Sequence, residues 1–465
     1  MSRIHLIGIC GTGMASLAVL LKRRGFSVSG SDANSHPPMN AFLIENGIEP
    51  KIGYDSNRIS TGIDIAVIGN AVSRGNPEVE AVLDRGLQYR SFPALLRDEF
   101  LWNRKSIVVA GTHGKTTTTS MLAWVLAEAG IAPGFLVGGI PTNFESSCQL
   151  GSGSVFVVEG DEYDSAFFDK TPKFLKYVPK VAIVGNVEFD HADIYSDLTE
   201  LRKSFRRLLS LIPSSGKVIL GSDDSEASAL QEVAHCGVET FGLNQGADWR
   251  ADEIQYGYEA TNFSVRYRSK MVAKVSLPML GMFNVRNALA TIAAAETVGV
   301  SARLAAAALS KFQGVRRRLE FLGREDGVVV YDDFAHHPTA IRETLLGMRA
   351  SNPQGPIWAV FEPRSATSCR SVFQQAFADS LALADKVIVS RVFRSTIPEG
   401  ERLSEPRLIA DLADAGVWAR YFDTTEGIVD AISAEAKNGD RVVVMSNGNF
   451  GGIHTRILEE LRRRD

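Results

Sequence analysis

The amino-acid sequence predicts an α/β protein made of three domains. At about 150 residues per domain, a chain of 465 residues corresponds to about three domains. Short apolar strands alternate with helical segments in three consecutive parts of the chain, and this alternation implies parallel sheets with right-handed crossovers. Glycine-rich turns join a strand to a helix in the first two parts, which is where α/β proteins bind their ligands.

The first part of the chain begins with the strand RIHLIGI, the helix MASLAVLLKRRG and the strand FSVSGSD. The strand IDIAVIGN and the helix NPEVEAVLDRG follow, and the pattern ends near Arg104, where the polar segment WNRK precedes a new strand. We therefore expect a Rossmann-like first domain over residues 1–104.

The second part contains the strand SIVVAG, the helix TTSMLAWVLAEAG and the strands SVFVVEGD, KVAIVGNV and KVILGSD. Between Trp249 and Pro278 the apolar residues alternate with period two, which indicates an antiparallel insertion or sheet edge. Two helices, NVRNALATIAAAETVG and SARLAAAALSKF, follow it. The expected central domain, 105–318, has a mixed sheet and resembles a P-loop ATPase.

The third part starts near Glu320 and contains the strands VVVYDDF, PIWAVFEPR, DKVIVSRVF and RVVVMSNGN, with helical segments between them. It predicts a second Rossmann-like domain over residues 319–465.

The composition argues against a nucleic-acid-binding protein, a disulfide-rich protein and a membrane-spanning protein. The chain is 45% hydrophobic and 22% charged, and 50 Lys and Arg against 54 Asp and Glu give a net charge of -4, so we expect no nucleic-acid partner. The four cysteines form no CxxC or Cys/His cluster, which is typical of reduced thiols in a cytoplasmic protein. No apolar run is long enough to span a membrane, and the N-terminus does not resemble a signal peptide.

The sharpest chemical signal is the glycine-rich turn between SIVVAG and the following helix, which consists of Gly111, Thr112, His113, Gly114, Lys115, Thr116 and Thr117. Glycines allow backbone N–H groups to approach phosphate oxygens, and a helix N-terminus adds a positive dipole. Lys115 is then expected to reach the β- and γ-phosphates, and the Thr116 hydroxyl to hold Mg²⁺. The leading glycine of the usual phosphate-loop pattern is replaced by Val109.

The first turn of the chain carries Gly8, Gly11, Thr12 and Gly13, and Asp32 ends the next strand. This spacing is typical of a dinucleotide-binding turn, although Ser16 stands where a third glycine is usual. We expect a diphosphate group here, NAD being one candidate; the alternative is a tight turn that needs glycine for its backbone conformation.

Two acidic clusters follow neighbouring strands of the central part, Glu159–Asp164 and Glu188–Asp193. Carboxylates beside a phosphate loop suit divalent cations that bridge phosphates. Only one or two residues of each cluster need to coordinate the cation, so most of these carboxylates are expected to be solvated. His191 is expected to be a metal ligand.

The segment YDDFAHHP carries Asp333 and the adjacent His336 and His337, and Arg318 lies just upstream at the domain junction. A zinc site would need further ligands nearby. We favour contacts with a nucleotide across the domain cleft, or a role for one histidine at the start of a helix.

The motifs GTHGKTT, EGDEYD, EFDHAD, GMFNVRNALA, RRRLE and YDDFAHHP occur in an order that resembles the Mur ligase family, over residues 3 to 454. The resemblance implies an ATP-dependent ligase with Mg²⁺ that forms a C–N bond through an acyl phosphate. It implies phosphate contacts from Lys115, magnesium ligation by Thr116, Glu159 and His191, and adenine contacts from Asn284 and Asn287. Arg318 and Asp333 would close over the nucleotide, and the turn from Gly8 to Gly13 with Asp32 would hold a UDP-sugar.

Within that family, GDEYDSAFFDK, FEPRS and MSNGNFGGIH resemble the branch that joins UDP-N-acetylmuramate to the murein tripeptide L-Ala-γ-D-Glu-meso-diaminopimelate in peptidoglycan recycling, with Tyr163 where the alanine-adding branch has serine. The tripeptide carries several carboxylates, so we expect cations after the strands of the third domain to bind it, or else to be solvated. The candidates are Arg364, Arg370, Arg391 and Arg394.

Three alternatives stay open. An alanine-adding ligase would share all of the chemistry, whereas an NAD-dependent oxidoreductase would leave the phosphate loop unexplained. A non-enzymatic nucleotide switch would not need a separate sugar-nucleotide domain. We expect a monomer or weak homodimer.

Overall fold

The computed structural model describes residues 2–35, 38–60, 62–190, 194–393 and 397–464. Its strands form three successive main sheets with helices packed against them, and a separate two-stranded hairpin. This arrangement confirms the predicted three-domain α/β fold. No helix in these ranges is both long and apolar enough to cross a membrane.

The first sheet is parallel and has the order β3-β2-β1-β4-β5. Its strands are β1 (Arg3–Ile7), β2 (Ser27–Asp32), β3 (Lys51–Ile52), β4 (Ile65–Ile68) and β5 (Gln88–Ser91). Its helices are α1 (Thr12–Arg23), α2 (Met39–Glu45), α3 (Pro77–Asp84) and α4 (Phe92–Leu96). Helix α1 begins directly after the glycine turn, at Thr12. Residues 14 to 21 of this helix are all buried, so packing fixes its position in the domain.

The second sheet has ten strands in the order β17-β16-β15-β14-β13-β12-β6-β9-β7-β8. These are β6 (Lys105–Ala110), β7 (Gly134–Leu136), β8 (Cys148–Gln149), β9 (Val155–Glu159), β12 (Val181–Val184), β13 (Lys217–Gly221), β14 (Gly237–Gly242), β15 (Trp249–Tyr256), β16 (Thr261–Tyr267) and β17 (Lys270–Leu277). The hairpin β10 (Asp164–Ala166) and β11 (Asp169–Pro172) stands apart from it. The helices are α5 (Lys115–Glu128), α6 (Leu198–Leu209), α7 (Ser225–Ala229), α8 (Met282–Glu296) and α9 (Ala302–Leu309).

The period-two segment predicted between Trp249 and Pro278 forms β15, β16 and β17, which pair antiparallel at one edge of this sheet. The sheet is therefore mixed, as expected.

The third sheet has the order β18-β19-β23-β20-β21-β22. Its strands are β18 (Glu320–Glu325), β19 (Val328–Asp333), β20 (Ile357–Phe361), β21 (Lys386–Ser390), β22 (Trp418–Phe422) and β23 (Arg441–Met445). Its helices are α10 (Pro338–Ser351), α11 (Gln374–Leu381), α12 (Glu405–Asp414), α13 (Thr425–Glu435) and α14 (Ile453–Arg462). All neighbours are parallel except β18, an edge strand whose half-exposed polar sequence gave no strand signal.

Strand β6 contains a continuous run of apolar residues because both faces of the sheet are buried at this strand. Ile107 and Val109 pack with α5 and α8 on one face, while Val108 and Ala110 belong to the core on the other. Because β9, β6 and β12 are parallel neighbours, the loops that follow them meet at one edge of the sheet. The phosphate loop and both acidic clusters are therefore side by side.

Candidate functional site

A cavity of about 530 Å³ lies between the central and third domains, at the carboxyl ends of β6, β9 and β12. Its walls include the phosphate loop, both acidic clusters, the start of α8 and the YDDFAHHP segment. Ile183, Phe241, Met279 and Phe283 supply an apolar part of the lining. A mixed surface of this kind suits a ligand that has an apolar ring and a charged end.

The phosphate loop turns sharply at two glycines with positive φ, Gly111 at +124° and Gly114 at +81°. A Cβ atom at Gly114 would lie 2.5 Å from Oδ1 of Asn287, and the positive φ at this position also favours glycine. Helix α5 begins at Lys115 and buries Thr116 and Thr117. The loop thus presents a helix N-terminus to the cavity, as phosphate binding requires.

The Lys115 ammonium is held inside the loop. It donates to the carbonyl oxygens of Gly111 (2.7 Å) and Thr112 (3.1 Å), and both carboxylate oxygens of Glu162 lie 2.9 Å away. Burial alone would lower the pKa of Lys115, but the charges of Glu162 and Asp161 raise it. Lys115 therefore remains a cation, paired with Glu162 in this structure. The sequence placed Glu162 in an acidic cluster without distinguishing it from its neighbours.

The residues present fit a Mg²⁺ ion. The Thr116 hydroxyl donates to Oε1 of Glu159 (2.9 Å), and the Gly138 N–H donates to Oε2 of the same carboxylate (2.7 Å). Hydroxyl and carboxylate oxygens are the donors that Mg²⁺ prefers. Arg318, from the domain junction, donates to the same Thr116 hydroxyl at 3.1 Å. The third predicted ligand, His191, lies outside the residues that the structure describes.

Asn284 and Asn287 lie in the first turns of α8, next to Gly114. The Asn284 amide donates to the Leu280 carbonyl (2.8 Å), and the Asn287 amide donates to Oδ1 of Asn284 (3.2 Å). Thr118 donates to Oδ1 of Asn287 at 3.1 Å. Asn287 therefore joins α8 to α5, and both asparagines line the cavity.

Asp333 ends β19 and is buried opposite the phosphate loop. It accepts hydrogen bonds from the Ala335 N–H (2.7 Å) and the Thr344 hydroxyl (3.3 Å). Burial raises the pKa of Asp333 to about 6. Arg318 stacks on the Phe334 ring at 4.8 Å, and burial lowers its pKa. The domain junction thus contributes one cation, Arg318, to the cavity, and the third domain contributes one carboxyl group, Asp333.

The two adjacent histidines point to different partners. Nδ1 of His336 contacts its local Phe334 carbonyl at 3.0 Å, whereas His337 caps α10 by accepting from the Thr339 N–H at 3.3 Å. The helix-start role considered above therefore belongs to His337. Burial lowers the pKa of His337 to about 4.

The carboxylate of Glu188, in the central domain, faces His337. Glu188 lies 3.5 Å from Nε2 of His113 and accepts a hydrogen bond from the Thr339 hydroxyl at 2.5 Å. Burial would raise the pKa of Glu188, but its interactions with His113 and Thr339 lower it to about 2. Arg286 also bridges the two domains, with Asp223 at 2.8 Å and Glu343 at 3.4 Å.

The glycine turn of the first domain is separate from this cavity. Gly8 has a φ of +84°, and a Cβ atom at Gly13 would lie 3.2 Å from the Phe92 ring. Oδ2 of Asp32 accepts a hydrogen bond from the Cys10 N–H at 2.8 Å. Helix α1 begins at Thr12, and Gly11 caps it without a side chain, so its first N–H groups are available to an anion.

The predicted arginines of the third domain differ in their surroundings. The Arg364 guanidinium stacks on Phe393 at 3.8 Å and lies 3.4 Å from Oε1 of Glu362. Arg370 pairs with Glu401 (3.1 Å) and Arg391 with Asp423 (3.7 Å), both near the surface. Arg394 lies outside the described part of the chain.

Three family profiles match consecutive parts of the chain: the "Mur ligase family, catalytic domain" over residues 3–100, the "Mur ligase middle domain" over 109–295 and the "Mur ligase, glutamate ligase domain" over 317–448. UDP-N-acetylmuramate–L-alanyl-γ-D-glutamyl-meso-2,6-diaminoheptandioate ligase of Escherichia coli is 42% identical over 99% of both chains. UDP-N-acetylmuramate–L-alanine ligase of Acetivibrio thermocellus is 33% identical over 98% of this chain and 96% of that protein.

Two solved structures show the same architecture. A murein peptide ligase from Psychrobacter arcticus has a TM-score of 0.74 at 39% identity over 99% of both chains. UDP-N-acetylmuramate–alanine ligase from Thermotoga maritima has a TM-score of 0.83 at 25% identity over the full length of both. The alanine ligase has the higher TM-score although its sequence identity is lower. A TM-score over the whole chain also depends on how the domains are arranged relative to one another. Sequence identity is therefore the better guide to which branch of the family this chain resembles. By its domain profiles and its full-length relatives, the chain belongs to the Mur ligase family.

Proposed function

We propose that this protein joins UDP-N-acetylmuramate to the tripeptide L-Ala-γ-D-Glu-meso-diaminopimelate, with ATP cleaved to ADP and phosphate. The observation that carries the proposal is the identity of 42% over the whole chain to a ligase named for that reaction, against 33% to an L-alanine ligase. The phosphate loop, the buried Lys115 and the arginine at the domain junction, Arg318, support the ATP-dependent chemistry. They speak against an NAD-dependent oxidoreductase, which needs none of them.

Each domain has one expected ligand. The first domain, 1–104, would hold the UDP-sugar at Gly8, Gly11, Thr12, Gly13 and Asp32. The central domain, 105–318, would hold ATP at its phosphate loop and at the asparagines of α8, and the third domain, 319–465, would hold the peptide. We further propose that the enzyme acts in peptidoglycan recycling in the cytoplasm, as a monomer or weak homodimer.

The chain's own residues account for the activation step. Lys115 and the N-terminus of α5 bind the phosphates of ATP while the lactyl carboxylate of the sugar attacks the γ-phosphate. Thr116 and Glu159, with His191, would hold Mg²⁺, which supplies charge neutralisation at the phosphates when bound. Arg318 approaches from the domain junction and stabilises negative charge that develops during phosphoryl transfer.

The second step requires that water is excluded, because the acyl phosphate would otherwise hydrolyse. The third domain covers the cavity through Asp333 and His337, and Arg286 ties it to the central domain through Glu343. The peptide amine then attacks the acyl carbon, the amide forms and phosphate leaves. Domain opening would release the products.

The test is phosphate release from ATP in the presence of UDP-N-acetylmuramate, with tripeptide, L-alanine or no acceptor. We expect release that depends on the tripeptide and is far slower with L-alanine. Equal rates with both acceptors would favour the alanine-adding alternative, and release that needs no acceptor would favour a nucleotide switch.

Arg364 is the strongest candidate for the peptide contact, because its guanidinium is fixed by Phe393 and Glu362. We expect R364A to raise the KM for tripeptide about 10- to 100-fold, the loss of one charge-assisted hydrogen-bonded pair of about 1.5–3 kcal/mol. The KM values for ATP and UDP-N-acetylmuramate should not change. R391A is the matched control, since the Arg391 side chain is 67% exposed. An unchanged tripeptide KM in R364A would remove Arg364 from the peptide site.

A further inference from the structure

Side chains from three separate segments converge where the third domain meets the phosphate loop. Nε2 of His113 and Nδ1 of His337 lie 3.5 and 3.9 Å from the same oxygen of Glu188. One possible ligand atom from each residue lies within 4.8 Å of the other two. The two imidazole rings are 4.8 Å apart between centroids. This cluster contains none of the residues assigned to Mg²⁺.

The cluster is short of hydrogen-bond partners. His337 is only 4% exposed and lines the cavity, and its Nε2 has no hydrogen-bond partner among the described residues. Nε2 of His113 is also buried and has no hydrogen-bond partner within the described part of the chain, and it lies 3.5 Å from Glu188. A buried polar atom left unpaired costs about 1–3 kcal/mol, so the arrangement favours a ligand at this place.

The protonation states suit a metal. Burial lowers the pKa of His337, which favours its unprotonated imidazole. Unprotonated imidazoles and carboxylates are the forms that coordinate cations, and the cluster brings both together.

We propose that His113, Glu188 and His337 bind one divalent transition-metal ion of the zinc class, at a site separate from the Mg²⁺ site of Thr116 and Glu159. Two imidazoles and one carboxylate form a donor set that zinc prefers, whereas Mg²⁺ prefers oxygen atoms alone. The hydrogen bond from the Thr339 hydroxyl orients the Glu188 carboxylate, as outer ligand contacts commonly do.

The site bridges two domains, because His113 and Glu188 belong to the central domain and His337 to the third. Zinc–ligand bonds of about 2.0 Å place ligand atoms about 3.3 Å apart in a tetrahedral site, so the ion draws His337 towards the phosphate loop. Nδ1 of His337 would coordinate the metal and would give up the 3.3 Å hydrogen bond that it accepts from the Thr339 N–H. A bound ion therefore holds the domains closed and slows product release.

The experiment uses the full-length, metal-free enzyme without nucleotide and with Mg²⁺ in millimolar excess. Co²⁺ is added as a spectroscopic probe and Zn²⁺ by calorimetry, for the wild type and for H113N, H337N and H336N. Asparagine at position 337 still caps α10, since asparagine is among the best N-cap residues. H336N is the matched control, because it removes the neighbouring imidazole, which lies outside the cluster.

We expect the wild type and H336N to bind one equivalent of Co²⁺ with the strong visible absorption of a low-coordinate site. H113N and H337N should bind about 10- to 100-fold more weakly or worse. Zn²⁺ should raise the melting temperature of the wild type and not that of H337N. Equal affinities in all four proteins, no Co²⁺ binding in the presence of Mg²⁺, or only a weak octahedral spectrum would overturn the proposal. No substrate is present, so the outcome is independent of the proposed ligase reaction.

Discussion

Replacement of Lys115 by methionine is expected to lower kcat by at least about 100- to 1,000-fold, the loss typical for one preorganised charge at a developing anion. The substitution removes the cation that binds the phosphates and keeps the length of the side chain. It also takes the Lys115 charge away from the Glu162 carboxylate, which is 1% exposed. Breaking a buried ion pair in this way costs about 3–5 kcal/mol, so K115M is also expected to lose stability.

The double variant K115M/E162Q separates the two effects. Glutamine removes the buried negative charge that Lys115 no longer balances, so the melting temperature should return most of the way to that of the wild type. Activity should stay as low as in K115M, measured as phosphate release under saturating ATP. Recovery of kcat in the double variant would show that Lys115 has only a structural role, and would contradict the assignment.

The second large effect concerns Arg318, which reaches from the domain junction to the Thr116 hydroxyl. We expect R318A to lower kcat about 100- to 1,000-fold while the affinity for UDP-N-acetylmuramate is unchanged, because the arginine acts on the phosphates. R318K should recover only part of the rate, since lysine keeps the charge but lacks the planar fork.

The neighbouring arginines provide controls within one motif. Arg316 is exposed, so R316A should keep kcat within about twofold. Arg317 donates to the carbonyl oxygens of Ser446 and Gly448 at 2.7 Å, so R317A should mainly lower the melting temperature. A kcat for R318A equal to that of R316A would contradict the role assigned to Arg318.

The sequence predicted the elements that carry strong local signals. Buried strands such as β6 and β12 have uninterrupted apolar runs, and α5 and α8 follow glycine turns, so their positions were clear. Short edge strands were missed because their residues are half-exposed and polar. Strand β18 is the example: its residues Glu320–Glu325 form a strand only because β19 offers an antiparallel partner.

In the candidate site, too, features with a local sequence signal were predicted and contacts between distant segments were not. The phosphate loop and several residues matched to the family motifs line one cavity, and the order of β9, β6 and β12 explains why the loop and the acidic clusters meet there. The matched residues in the lining are Glu159, Asn284, Asn287, Arg318 and Asp333. Pairings between segments had no sequence signal. The contact of Lys115 with Glu162 spans 47 positions, and the approach of His113 to Glu188 and His337 depends on how the third domain docks.

The most direct test of the proposed reaction follows the oxygen atoms of the sugar carboxylate. UDP-N-acetylmuramate labelled with ¹⁸O in its lactyl carboxylate is incubated with ATP and tripeptide, and phosphate and product are analysed by mass spectrometry. We predict UDP-N-acetylmuramoyl-tripeptide as the product and one labelled oxygen in the released phosphate, because that oxygen passes to phosphorus through the acyl phosphate. Unlabelled phosphate, or an L-alanine adduct formed as fast as the tripeptide adduct, would contradict the account.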